Sequence, residues 1–166
     1  MLKGQDIVVL LALVGHEDRP RAALARALGW DDAGVHRSIN RLSESTLFEA
    51  GRGRVSRARA EEFLIHGVPY VFPARLGPVT RGVPTAWAAP PLSSRFAPVD
   101  ELPPVWPDPM GSVRGVAFEP LHRTAVHGAA ADAVLHQRLA LVDAIRGGDA
   151  RSRALAAEML PALLRP

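Results

Sequence analysis

The sequence predicts a mainly α protein with one small β hairpin, and three observations carry that expectation. Apolar residues recur at three- and four-residue intervals in the first and last parts of the chain, as amphipathic helices require. A glycine-and-arginine tip, Gly51-Arg-Gly53, separates two short runs that fit paired strands. Twelve of the 15 prolines fall within residues 67–120, where they argue against long helices. The chain therefore divides into a helical block with a hairpin (1–66), a Pro/aromatic-rich extended strap with short strands (67–120), and a C-terminal helical region (121–166).

In the first block, Lys3–Val14 is apolar nearly all round, with Ile7, Val8, Leu10, Leu11, Leu13 and Val14, and reads as a buried scaffold helix. Pro20 suits a helix start because its missing N–H costs nothing there. Leu24, Ala25 and Leu28 give this second helix an inner face, and Gly29 ends it. Asp31 is placed to cap a third helix, whose Val35, Ile39 and Leu42 face inward. The same periodicity turns His36, Arg37, Asn40 and Arg41 outward or to the flanks. Two short strands within Leu47–Ser56 follow, and then a helix from Ser56 or Arg57 to His66.

The formal net charge is +3, and its distribution is uneven. Residues 1–59 hold 10 Lys/Arg against 7 Asp/Glu, whereas residues 60–166 hold 10 against 10. Within 35–59, six arginines face only Glu44 and Glu49, so the excess lies beside the third helix and hairpin, where a polyanion would bind. Lys3 is the only lysine. An arginine-rich, lysine-poor balance suits bidentate contact with phosphate or guanine, and a GC-rich coding sequence produces the same bias.

Helix, turn, helix and hairpin in this order resemble a winged helix-turn-helix, and residues 5–56 resemble the MarR-like regulators. The matching run is Val35-His-Arg-Ser-Ile-Asn-Arg-Leu-Ser-Glu-Ser-Thr-Leu-Phe48, in which Thr46 stands where that family usually has glycine. The resemblance covers about a third of the chain. It implies a sequence-specific, DNA-binding transcriptional regulator that places the third helix in the major groove of double-stranded DNA. A homodimer reading two half-sites is the economical form of such a protein. The residues expected at the DNA are His36, Arg37, Ser38, Asn40 and Arg41 on the helix, Arg52 and Arg54 on the wing, and Arg57 beyond it, with Arg59 able to add a phosphate contact. Farther on, Gly82-Val-Pro-Thr-Ala and Ala88-Ala-Pro-Pro are faintly similar to the post-wing region of antitoxin regulators of type IV toxin–antitoxin systems. That similarity implies the alternative of a protein-interaction adaptor or antitoxin-like subunit.

The strap carries Tyr70, Phe72, Trp87, Phe96, Trp106 and Phe118 at low charge density, a composition that orders rather than disorders a chain. Val68–Phe72 and Arg114–Phe118 are its expected strands. In the last block, Thr124–Arg146 reads as one helix, Gly147-Gly148 breaks it, and Asp149 caps a final helix over Ala150–Leu164. The apolar side of that final helix is expected to be Ala154, Leu155, Met159, Leu160 and Leu163. These helices are the expected dimerisation or partner-binding region.

Other chemistries find little support. The chain has no cysteine, which excludes disulfides and thiolate metal sites and fits a cytoplasmic protein. Its six histidines lack a His-x-x-x-His pair, and Asp132 with His136 at one helical turn needs further ligands, so no metal is expected. No phosphate loop, nucleophile–base order or paired-carboxylate motif occurs, and the reading is of a non-enzyme without cofactor. Asp143 and Arg146 read as a local ion pair worth about 0.2–0.5 kcal/mol. Ile7–Val14 is too short for a membrane span, and neither a signal peptide nor a membrane partner is expected.

Overall fold

The computed structural model describes residues 1–165, and its centre is one buried helix. That helix, α7 (Ala133–Gly147), buries every residue from Arg138 to Arg146. Against it pack α1 (Gly4–Leu13), α6 (Arg123–Ala131) and α8 (Ala150–Leu163). Residues 6–13 of α1 are all buried, as its all-round apolar sequence requires. Each fully buried Val, Leu or Ile contributes about 1.5–3 kcal/mol of gross hydrophobic drive, so α1 and α7 anchor the core. The buried cluster runs from Ile7 to Leu164, and the three sequence blocks share it.

The amino-terminal order is α1, α2 (Arg21–Ala27), α3 (Asp32–Glu44), then a hairpin of β1 (Phe48–Glu49) and β2 (Arg54–Val55). Phe48 pairs with Val55 and Glu49 with Arg54. Asp31 caps α3 by accepting from the Gly34 N–H at 2.6 Å. α2 and α3 end alike: an N–H reaches back five residues, Trp30 to Ala25 and Leu47 to Leu42, both at 2.9 Å. This closure needs a left-handed residue just past the helix. Gly29 fills the place after α2 with φ +60°, whereas Thr46 fills it after α3 with φ +61°. A β-branched residue is strained there and glycine is not. Thr46→Gly is therefore expected to stabilise the protein by about 1 kcal/mol, read as a higher urea midpoint at unchanged slope; a lower midpoint would refute the strain.

Helix α4 (Arg57–Glu62) continues through a π-turn at Phe63–Gly67 into α5 (Val68–Val71). This corrects the expected strand at Val68–Phe72. Pro69 would collide with the carbonyl of Ile65 in a regular helix. The wider turn, closed by the Val68 N–H on the Phe63 carbonyl, keeps the chain helical, and Val68 is wholly buried.

The strap forms a small closed sheet of β3 (Leu76–Pro84), β4 (Pro104–Pro107) and β5 (Val113–Phe118), each strand pairing with both others. β3 is antiparallel to both, while β4 and β5 run parallel. Three strands close only where backbones nearly touch. At Gly82 an added Cβ would lie 1.9 Å from the Trp106 carbonyl oxygen. The expected strand over 114–118 is present, but β3 was legible only as a glycine- and proline-marked stretch.

The single helix expected over Thr124–Arg146 is two helices. Asp132 leaves helical geometry at φ −140° and ψ 105°, and its Oδ1 accepts from the N–H groups of Val134 (2.9 Å) and Leu135 (3.1 Å). A cap at this position outcompetes continuation of α6. Asp149 caps α8 through the Ser152 N–H at 2.7 Å. The buried residues of α8 are Ser152, Ala156 and Leu160; of the expected apolar side Leu160 is buried, Leu155, Met159 and Leu163 pack partly buried against the core, and Ala154 is exposed.

Two buried arginines on α7 join these parts. Arg138 donates to the carbonyls of Leu11 and Val14 (both 2.9 Å) and Leu163 (2.8 Å), closing the carboxy ends of α1 and α8. Arg146 donates to Asp143 Oδ1 at 2.7 Å and to the Phe72 carbonyl at 2.8 Å. Asp143 Oδ2 accepts from the Thr85 hydroxyl (2.6 Å) and the Trp106 indole N–H (2.8 Å). The local ion pair expected at Asp143 and Arg146 is present and belongs to a buried hub between α7 and the sheet. Both residues lie among apolar neighbours, which the spacing alone did not reveal.

His122 caps α6, its Nδ1 accepting from the Thr124 N–H at 3.4 Å. Burial pulls the His122 imidazole below the ordinary histidine range, Arg123 adds to this, and Asp6 opposes it. The folded chain thus binds this proton less readily than the unfolded chain. The cap's contribution is complete above the unfolded value of about 6.5 and is lost as pH falls below it toward the folded value. Stability should decline as pH falls through this window, and His122→Asn, a cap without a titrating ring, should flatten that part of the stability–pH curve. An unchanged slope in the variant would assign the dependence to another group.

Candidate nucleic-acid interface

Position on α3 decides which predicted residues are available to a partner. Val35, Ile39 and Leu42 are buried, as expected, and His36, Arg37 and Asn40 are exposed. Ser38 is fully buried, which corrects its expected outward role. Its hydroxyl donates to Asp6 Oδ1 of α1 at 2.7 Å. Arg41 turns the same way and grips Asp6 with two bonds, Nε to Oδ2 at 2.8 Å and Nη2 to Oδ1 at 2.7 Å. The Asp6 bond raises the Arg41 pKa further, with burial opposing it. Ser38 and Arg41 thus fix α3 to the scaffold, and only the Nη1 end of Arg41 stays outside this network. The missed signal was Asp6 itself: a lone carboxylate in an otherwise apolar helix is buried only if it is paired.

The hairpin presents Arg52 and Arg54 on its exposed side. Both bond Glu49 Oε2, at 3.3 and 3.2 Å. The Arg54 bond, then the charges of Arg54 and Arg52, hold the Glu49 carboxyl below its usual range against the effect of burial. Such exposed pairs are worth at most about 1 kcal/mol and are open to exchange for another anion. Arg57 does not face outward with them. It is partly buried and donates to Glu17 at 3.2 Å, tying α4 to the loop after α1. Arg59 is exposed and donates to the Thr46 carbonyl at 3.4 Å.

A further cation joins the exposed set. Arg21, at the start of α2, donates to His36 Nδ1, while the Asn40 amide lies 3.2 Å from His36 Nε2. Arg37 lies 3.9 Å from the exposed Asp31, a weak pair. Between α3 and the hairpin runs a cleft of about 220 Å³ whose lining includes Arg19, Arg21, Asn40, Ser43 and Gly53. Sequence spacing within α3 could not find Arg19 and Arg21, because they reach this cleft from the preceding turn and helix.

No group of three His, Cys, Asp or Glu side chains among the described residues is arranged to hold a metal ion. No helix among them is long and apolar enough to cross a membrane. Comparison of the chain with protein-family models, with curated proteins and with solved structures found no match.

Proposed function

We propose that this chain is a sequence-specific DNA-binding transcriptional regulator. In this reading α1–α3 and the hairpin act as a winged helix, α3 enters the major groove, and two protomers read adjacent half-sites. One observation carries it: Asn40 and Ser43 of α3 and Ala50 and Gly53 of the hairpin border a common cleft in which Arg19 and Arg21 outnumber Glu17. His36, Arg37 and Asn40 are the side chains free to meet base edges, and Arg21, Arg52 and Arg54 those free to meet phosphates.

The test is selection from random duplexes with the purified full chain at several salt concentrations. A short, palindromic motif is expected. Affinity should fall linearly on a log–log salt plot, and replacing Arg52 and Arg54 together with alanine should reduce that slope by roughly 1.8. Absence of duplex binding at low salt would overturn the reading.

A protein partner is the second reading, as in an adaptor or antitoxin-like subunit. It is favoured by Tyr70, Val71, Leu76 and Val79, which are 85%, 51%, 66% and 43% exposed within ten residues of chain. Monomodal, monomeric light scattering together with tight co-purification of another chain and no DNA binding would favour it.

A further inference from the structure

We propose that two copies of this chain join through the outer face of the three-stranded sheet, each supplying the counter-charges that the other lacks; this inference rests on the two-protomer form of the reading above. Strand register places the first pair of charges. Arg81 lies opposite Arg114, and Val79 opposite Val116, in the antiparallel pairing of β3 with β5. Residues two apart on a strand project from one face. These four side chains therefore share the outer face, while Gly82, Gly115 and Ala117 alternate onto the buried inner one. Like charges directly opposite each other destabilise a sheet. Both arginines are exposed, and neither joins an ion pair among the described residues.

Val116 also lines a cleft of about 180 Å³ together with Leu76, Trp87, Leu102 and Phe118. Leu102 closes the run Val99-Asp-Glu-Leu102, which leads through Pro103 into β4. Leu76, Val79, Val99 and Leu102 all remain exposed. Asp100 and Glu101 are exposed as well, and they too join no ion pair among the described residues. One surface thus carries two unpaired cations, two unpaired anions and exposed apolar side chains. A wholly acidic or wholly basic partner would set like charges against one of the two pairs, which is costly. A second copy has no such conflict. A two-fold axis sets the same patch against itself, so the arginines of each protomer meet the carboxylates of the other, twice over. Charge balance therefore selects a second copy of this chain as the occupant. Dimerisation then belongs to the sheet rather than to the C-terminal helices.

The experiment is sedimentation velocity on the full-length chain over a range of protein and salt concentrations. It compares wild type with two double variants, Arg81→Glu with Arg114→Glu and Asp100→Arg with Glu101→Arg. All four positions are exposed, so both variants should keep the wild-type Tm within a few degrees. Wild type should dimerise, and less tightly as salt rises. Each variant alone should be monomeric where wild type is dimeric, its dimer Kd raised roughly 100-fold or more. Mixed in equal amounts, the all-acidic and all-basic patches should form a heterodimer, which loss of folding could not produce. A wild type that stays monomeric, a dimer indifferent to both reversals, or a mixture that does not associate would overturn the interface. Duplex binding at low salt separates this failure from that of the DNA reading. A monomer that binds duplex overturns the interface alone, and a dimer that binds none overturns the DNA reading alone.

Discussion

Asp143→Ala should destabilise the protein by about 3–5 kcal/mol, lowering Tm by roughly 6–20 °C. Asp143 is 1% exposed and Arg146 7%, so neither charge can turn to water when its partner is removed. Alanine would leave the Arg146 guanidinium with only backbone carbonyls, those of Phe72 and Glu119, and the face of Phe118 at 5.4 Å. It would also orphan the Thr85 hydroxyl and the Trp106 indole N–H, and an unpartnered buried polar group costs about 1–3 kcal/mol. Burial pushes the Asp143 carboxyl above its ordinary range, and Arg146, Thr85 and Trp106 pull it back.

Two comparison variants separate the loss of a hub from the loss of volume. Trp106→Phe removes one donor and keeps most of the ring, so it should cost much less than Asp143→Ala. Replacing Asp143 with leucine and Arg146 with methionine together should recover much of the stability lost by Asp143→Ala, since apolar pairs often replace buried ion pairs without loss. Urea unfolding followed by circular dichroism measures all of these. A cost below about 1 kcal/mol for Asp143→Ala would mean that the hub is hydrated and that its bonds are replaceable by water.

The outcome of each sequence expectation follows from how local its cause is. Asp31, Gly29 and Asp149 act on their own helix ends, and all three stand where local rules place them. Asp132 uses the same rule, yet apolar periodicity from Val126 to Ile145 masked it. Val68–Phe72 has strand-forming composition, but Val68 packs into the core and a π-turn accommodates Pro69. Long-range pairing left no pattern to read. Thr85 meets Asp143 across 58 residues and Arg138 meets Leu11 across 127. On α3, helical spacing correctly exposed His36, Arg37 and Asn40. It did not reveal that Ser38, expected at the DNA, and the flanking Arg41 meet a carboxylate thirty-odd residues away.

Arg41→Ala is the sharpest test of that correction, because the two roles open to Arg41 predict opposite results. As a base reader it would contribute little to folding and about 1–3 kcal/mol to discrimination. As the partner of Asp6 it should contribute about 3–5 kcal/mol to stability and little to binding by the folded protein. Asp6 is fully buried and accepts four bonds, from Ser38, from the Lys3 N–H at 2.8 Å and twice from Arg41. Arg41→Ala removes two of the four and strands a carboxylate that cannot reach water. The reverse change is milder, because the Arg41 side chain is 16% exposed and its long stem can carry the guanidinium out to solvent. Asp6→Ala should therefore cost less than Arg41→Ala, about 2–3 kcal/mol. Duplex affinity measured well below each variant's melting temperature completes the separation. Arg37→Ala should weaken binding while leaving Tm within a few degrees, and Arg41→Ala should do the reverse. A folded Arg41→Ala protein with unchanged Tm and lost sequence preference would return Arg41 to the groove and dissolve the clamp between α1 and α3.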